Sequence, residues 1–418
     1  MATHVHITGG TLAGIAAALR LAKAGHQISL DPAGPLGGRA RGHDLPGVLV
    51  DDLEPVITLP AAWRDLLKKS GRAFTAELAR HDLDLVPAPP AVHRWEDGIE
   101  LLLPDDRGGQ LHALRPLVGD AAADRWTALL DGADTVWQAL RMTGTERPFP
   151  AGDLGPSRVQ ELWGRRTLGQ LARELRDRRL ADLLLMAGWR AGASDPERAP
   201  AWLATRWTLP RTFGRWHLAD AAGVAQPLGA MVEVLTDRLV ERRVDLEPDA
   251  GDADAHIDAV APTPALRRGS AWARWRGRAV QPVAVRPPTV SHELHDDLDA
   301  PEGLQESVFH TASGPVVGWQ RTTLAGQVLV TSHDHTHLRE ADPAHGWDLA
   351  SWDTWVARPL LAPEQEGMPW RASSASHAGN EPWAELLSGA LVTYEVHELL
   401  TGEDIRPTNK ELGRARRA

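Results

Sequence analysis

A chain of 418 residues, 43% hydrophobic and 24% charged, can bury a large core, has room for two or three structural units, and lacks the composition of a disordered protein. Its formal net charge of −11 excludes a general nucleic-acid binder, because phosphate binding needs a basic face. The absence of cysteine excludes disulfides, thiolate metal sites, iron–sulfur clusters and a cysteine nucleophile, and fits a reducing cytoplasm.

The first thirty residues have no basic leader, and Gly9, Gly10, Arg20 and Lys23 break their apolar stretch, so no export signal is expected. No apolar run reaches about 18 residues, so no transmembrane helix is expected either, and any membrane contact would be peripheral. Residues 5–8 read as a short strand. Gly9-Gly10-Thr11-Leu12-Ala13-Gly14 follows, then an Ala/Leu-rich helix to about Ala24, with Gly25 as its C-cap, and a strand over 27–30 ending at Asp31. Residues 60–70 predict a helix with Trp63, Leu66 and Leu67 on one face, and 92–103 a hairpin around Asp97-Gly98.

Helices are expected over 125–140, 167–175, 196–207 and 229–239, and 211–216 reads as the start of a strand with an exposed arginine pair. The acidic, small-residue stretch 249–258 reads as a loop. Strands are expected over 280–285, 316–321 and 327–331, a helix over 383–400 ended by Gly402, and a frayed basic tail over 410–418. No internal repeat is visible, and oligomeric state is not legible.

Strand, glycine turn, helix, strand and a following acid form a dinucleotide-binding pattern. In such a turn the first glycine allows the bend, the second lets a diphosphate approach, and the third lets helix pack on strand. Gly9 and Gly14 take the first and third places and Thr11 the second, where its side chain either crowds the phosphate or donates to it. Asp31 is placed to accept from ribose hydroxyls. The alternative is a tight turn that holds no ligand.

The residues after Asp31 carry a resemblance. Gly37-Gly38-Arg39-Ala40 and Val50-Asp51-Asp52-Leu53-Glu54-Pro55 are similar to the "GGR-A" and "D-x-G-P" segments of the phytoene-desaturase-like FAD-dependent oxidoreductases, within the amine-oxidase and desaturase flavoproteins. Farther on, Pro227-Leu228-Gly229-Ala230-Met231 resembles their "G-G-M" segment. Residues 371–390, with Gly379, Pro382, Ser388 and Gly389, resemble the loop and helix that close over the flavin. The chain departs from the pattern at Glu54, at Asn380-Glu381, and in a hairpin shortened around 249–258.

The resemblance implies an α/β fold, a discontinuous Rossmann-type FAD-binding domain (1–80, 221–285 and 366–405) with an α+β substrate domain (81–220 and 286–365) and a tail over 406–418. It implies FAD, held by Gly9, Gly10, Thr11, Gly14, Asp31, Gly37, Gly38, Arg39, Ala40, Gly379, Ser388 and Gly389. It further implies hydride transfer between flavin and a C–H or C=C system of an apolar, isoprenoid-like small molecule in the cytoplasm. Two alternatives stay open: non-redox use of flavin, as in related isomerases and cyclases, and a flavin-free scaffold that binds a lipid or protein, as in Rab GDP-dissociation inhibitors.

The resemblance also disfavours an amine oxidase. Such members of the superfamily use a lysine-held water near the flavin and a pair of aromatic side chains flanking the amine, whereas here lysine occurs only at 23, 68, 69 and 410 and the sole tyrosine is Tyr394. His333, His335 and His337 share one face if extended, and His333 and His335 are the catalytic candidates, as imidazoles that titrate near neutrality. Three imidazoles in a row along a strand do not converge on one ion, so no metal is assigned there. Asp51, Asp52 and Glu54 read as a solvated loop rather than a carboxylate pair. Trp95, Trp126, Trp137, Trp163, Trp189, Trp202, Trp207 and Trp216 either fill the core or line a substrate opening.

Overall fold

The computed structural model describes residues 3–152, 154–248, 252–262, 264, 282–365 and 367–407. The elements that position the site are β1 (His4–Thr8), α1 (Leu12–Ala24), β2 (Gln27–Asp31), β3 (His43–Leu45), β4 (Val48–Val50), α2 (Pro60–Ser70), β5 (Ala91–Trp95) and β6 (Glu100–Leu103). They continue with α3 (Asp120–Leu140), α4 (Arg178–Arg190), β7 (Trp216–Asp220), α5 (Ala230–Glu241), β8 (Ala255–Asp258), β9 (Pro288–His295), β10 (Leu304–Thr311), β11 (Gly314–Thr322), β12 (Val328–Leu338), β13 (Trp370–Arg371) and α6 (Pro382–Thr401).

A four-stranded parallel sheet runs in the order β13-β8-β1-β2. In β1 the alternation of His4, Val5, His6, Ile7 and Thr8 buries Val5 and Ile7 completely. Val5 lies beside Ile28 and Ala255, and Ile7 beside Leu30 and Ile257. Parallel strands need a crossover helix, and α1 supplies the one between β1 and β2. It ends at Gly25 in the left-handed conformation, whose N–H returns to Ala22 and Leu21. Helix α6 lies against α1 at Gly389, where a Cβ would fall 2.4 Å from the Ala13 carbonyl oxygen. Only a residue without a side chain permits that approach.

A second, six-stranded mixed sheet runs in the order β9-β12-β11-β10-β5-β6. Its strands come from residues 91–103 and 288–338, while the parallel sheet draws on 4–31, 255–258 and 370–371. The two sheets are thus interleaved along the sequence.

Several expectations change. Residues 255–258 are a strand within the parallel sheet rather than a loop, because Ala255 and Ile257 alternate inward beside β1. Thr208–Phe213 is a short helix, and the strand begins only at Trp216, with Arg211 paired to Asp131. The helical stretch expected over 196–207 is a 3₁₀ turn over Ala201–Trp207. Of 280–285, residues 280 and 281 lie outside the described residues, and the remainder makes a single bridge from Ala284 to Trp347. The tail from 408 onward also lies outside them. No helix among the described residues is long and apolar enough to cross a membrane.

Candidate functional site

The glycine turn folds as its sequence requires. Gly9 sits at φ +109°, and a Cβ there would come within 2.9 Å of Ala259 and Val260. Its N–H bonds the Asp31 carbonyl at 2.7 Å and that of Gly10 bonds Pro32 at 2.8 Å, so the turn is strapped to the end of β2. Thr11 is the N-cap of α1. Its hydroxyl accepts from the Gly14 N–H at 3.3 Å and donates to the Ala259 carbonyl at 2.9 Å. The Thr11 hydroxyl therefore serves the framework. The first turn of α1 carries no acid, which leaves its positive end available to an anion. Asp31 is exposed and accepts from the Ala33 N–H at 2.9 Å.

Gly37 lies across this turn, with its N–H on the Gly10 carbonyl at 2.7 Å and a bridge to Thr11. Gly38-Arg39-Ala40 forms a 3₁₀ turn that buries Ala40 and presents Arg39. The Arg39 Nε donates to Glu385 at 2.8 Å, and its Nη2 donates to the Asn380 carbonyl. Burial pushes the Glu385 carboxyl up, and Arg39 opposes that. Asn380, where the flavoprotein pattern has a small residue, braces the loop instead. Its Oδ1 accepts from Arg358 at 2.7 Å and its Nδ2 donates to the Ala191 and Trp347 carbonyls at 2.8 and 3.0 Å.

A cavity of about 210 Å³ opens beside Arg39. At that end it is bordered by Asp52, Asn380, Glu381 and Pro382, the last opening α6. Deeper in, Trp189, Trp207, Met186, His93, His333 and His335 form its walls. Of the twelve residues expected to hold the cofactor, Arg39 alone borders this cavity. Ser388 and Gly389 are not brought there. The Ser388 hydroxyl accepts from the Ser373 N–H at 3.1 Å, and Gly389 faces α1. Gly379 sits among Glu381 and Arg206, two side chains that form an ion pair.

His333 and His335 both line the cavity and are buried, whereas His337 at the strand end is exposed. Burial pushes His333 and His335 down to about 3, helped by each other's proximity at His333 and by Arg190 at His335. Both are neutral imidazoles at neutral pH, which corrects the expectation of groups titrating near it. Their Nε2 atoms have no hydrogen-bond partner, nor do the Trp207 Nε1 and the Arg206 Nη1 at the same cavity.

The floor of the cavity holds a cluster that the sequence reading missed. Glu306, 2% exposed, accepts from both Arg190 and Arg215. Arg190 also lies 3.5 Å from Glu54, and Arg215 lies 3.9 Å from Asp105. Burial works against the Glu306 charge, but the two guanidiniums outweigh it and hold the carboxyl at about 2. With its arginines shared, the rest of the cluster goes the other way. Burial pushes Asp105 up to about 6 and raises Glu54, which also lines the cavity. A signal was present in the sequence: in Leu304–Thr311 the inward positions are Leu304, Glu306, Val308 and His310, which places a carboxylate and an imidazole on a buried face.

The loop 51–54 is likewise not solvated. Asp51 is buried and accepts from the Leu53 N–H at 2.9 Å and from the Gly229 N–H that leads into α5. Among the eight tryptophans, Trp189 and Trp207 border the cavity, while Trp95, Trp126, Trp137 and Trp202 are buried in the core.

No family model matches this chain. It is 30% identical over 249 residues to the hydroxyneurosporene desaturase of Rhodobacter capsulatus, a stretch covering 55% of this chain and 48% of that protein. The chain thus matches about half the length of this curated relative. Among solved structures, cyclohexylamine oxidase from Brevibacterium oxydans superposes with a TM-score of 0.55 at 15% identity, over 96% of this chain and all of the other. Rab GDI from Plasmodium falciparum gives 0.52 at 12% identity, over 97% and 100%. The chain has the α/β fold that these two proteins share.

The sequence resemblance implies FAD, and the residues present fit it. The Gly9 bend clears the backbone of Ala259, the N-terminus of α1 is free of acids, and Asp31 is exposed at the end of β2. The unpaired buried atoms of His333, His335, Trp207 and Arg206 are the kind of groups that a polar ligand edge satisfies.

Proposed function

We propose that the chain is an FAD-dependent oxidoreductase of the desaturase or dehydrogenase type, acting on a C–H or C=C system of a largely apolar, isoprenoid-like substrate. The observation that carries this reading is the cavity. It joins Arg39 and the start of α6 at one end to apolar and imidazole walls at the other, in a chain whose curated relative is a desaturase. Gly9, the first turn of α1, Asp31, Gly37, Gly38 and Arg39 are the residues that would hold FAD, within a binding domain built from 1–80, 221–285 and 366–405. FAD, when bound, supplies hydride acceptance and donation.

The chain's own residues bind and orient. Trp189, Trp207 and Met186 exclude water from the reacting segment. A cavity of about 210 Å³ takes that segment rather than a whole long-chain molecule, since sites for drug-sized ligands run to roughly 300–1,000 Å³. His333 and His335, neutral and unpaired at Nε2, offer a hydrogen bond to the polar edge of a bound ligand without adding charge to an apolar space.

The test begins with the purified protein. It should be yellow, or should turn yellow when refolded with FAD, and an isoprenoid polyene should bleach it anaerobically. His333→Gln with His335→Gln should change turnover or the flavin spectrum without lowering the melting temperature. A protein that stays colourless after refolding with FAD overturns the reading in favour of a flavin-free binding scaffold. A yellow protein that no polyene reduces points to non-redox use of the flavin.

A further inference from the structure

At the mouth of the cavity, outside its reacting walls, three side chains from separate elements converge. His43 comes from β3, Asp52 from the turn after β4, and His292 from β9 at the edge of the six-stranded sheet. One ligand atom of each, two imidazole nitrogens and a carboxylate oxygen, lies within 4.8 Å of both others. The two imidazole rings stand edge to face, 5.5 Å between centroids.

The arrangement around each group has the form of an oriented donor set. The His292 side chain is 90% buried and its Nδ1 lies 3.0 Å from the Thr331 hydroxyl on the adjacent strand. That contact fixes the ring and turns Nε2 toward the Asp52 carboxylate. The nearest Asp52 oxygen, Oδ1, is 3.5 Å from Nε2, too far for a good hydrogen bond. The other oxygen, Oδ2, is 3.3 Å from Arg339, which leaves Oδ1 facing the imidazoles. A metal-bound imidazole is commonly held this way at its second nitrogen, and a metal-bound carboxylate at its second oxygen.

We propose that His43, Asp52 and His292 form a binding site for a divalent first-row transition ion, of which zinc(II) and iron(II) have the matching donor preferences. With metal–ligand bonds of about 2.0–2.2 Å, two ligand atoms in a tetrahedral site are about 3.4 Å apart, so the triad must close by roughly an ångström. His43 is exposed and can supply that movement by side-chain rotation. Three protein ligands leave at least one coordination position open. Because Asp52 borders the cavity, a small oxygen ligand or water on the ion would sit at the cavity mouth. Arg339 adds a nearby positive charge, which sets the affinity at the modest end for such a triad. The ordinary alternative is a histidine–aspartate ion pair at the rim that takes no metal.

The experiment uses tag-free, full-length protein stripped with a chelator, then titrated with cobalt(II) or zinc(II) against a chromophoric chelator, with bound metal counted by elemental analysis. Metal is counted in the same way with or without flavin, so the failure of this proposal and the failure of the oxidoreductase reading are separate results. One equivalent should bind. His292→Ala, Asp52→Asn and His43→Ala should each weaken binding at least tenfold, and Thr331→Val should weaken it severalfold. His337→Ala, on an exposed ring at the end of β12, should leave it unchanged. His43 is exposed, so its replacement leaves the fold intact and keeps the test decisive if a variant at the buried His292 fails to fold. No uptake by the wild type, or uptake by His43→Ala equal to that of the wild type, overturns the proposal.

Discussion

Replacing Glu306 with glutamine tests the electrostatic account of the cavity floor. The carboxylate neutralises the buried Arg215 and the partly buried Arg190 at once, and is itself buried between them. Its carboxyl lies at about 2 instead of the usual 4.5, and a shift of that size corresponds to about 3 kcal/mol of stability at neutral pH. Removing one member of a buried ion pair costs about 3–5 kcal/mol, an independent figure of the same size. Part of this is recovered, because the Glu306 charge helps to raise Glu54 and Asp105, and without it both ionise more readily beside the arginines. A net loss of about 2–3 kcal/mol is expected at pH 7, read from chemical denaturation. The sign with pH follows from the lowered carboxyl: its contribution is complete above 4.5 and disappears as pH falls toward 2. The gap between Glu306→Gln and wild type should therefore narrow steadily over that window. A loss below about 1 kcal/mol at pH 7, or a gap that does not change with pH, refutes the reasoning.

Asp105 gives the opposite case. Its folded-state carboxyl stands at about 6 against 3.8, so its ionisation opposes folding as pH rises from 3.8 through 6. After a discount for its 27% exposure, Asp105→Asn should add about 1–2 kcal/mol at pH 7 and almost nothing at pH 4. Melting temperatures at the two pH values check this, and a larger gain at pH 4 would contradict it. At Thr11, glycine removes the cap on Gly14, worth a few tenths of a kcal/mol, and the bond to Ala259, so Thr11→Gly should lose about 1 kcal/mol of stability in all while Thr11→Ser keeps it. In FAD titrations Thr11→Gly should bind more tightly if the threonine methyl crowds the diphosphate, and coinciding curves would dismiss the crowding.

The parallel sheet's first hairpin-free unit was legible because each of its signals is local. Val5 and Ile7 alternate, Gly9 and Gly14 punctuate, Gly25 caps and Asp31 ends the strand. Residues 255–258 were not legible, because Asp252, Asp254 and Asp258 surround just two inward apolar residues and the strand exists through pairing with β1. The same difference separates the parts of the site. Arg39 was readable from its motif, whereas Arg190, Arg215, Glu54 and Asp105 acquire meaning only through their common neighbour Glu306. His43 and Asp52 are close in sequence but His292 is not, and no spacing rule joins a strand edge to a distant turn. His333 and His335, the catalytic candidates, line the cavity. Their charge state was misjudged because desolvation is a property of the packed fold rather than of the residue type.

The contact between α1 and α6 has a consequence for how the chain acquires its structure. Helix α1 buries ten of its residues, yet part of its cover comes from a helix more than 350 positions later, through the close approach at Gly389, and the parallel sheet is completed by two residues at 370–371. During synthesis the glycine turn and α1 emerge well before residues 370–401, at a rate of about 5–20 residues per second, so they wait tens of seconds for the partners that cover them. A ribosome stalled before residue 370 would carry a nascent chain with an apolar α1 face uncovered and a parallel sheet lacking its flank, open to chaperone capture or misassembly.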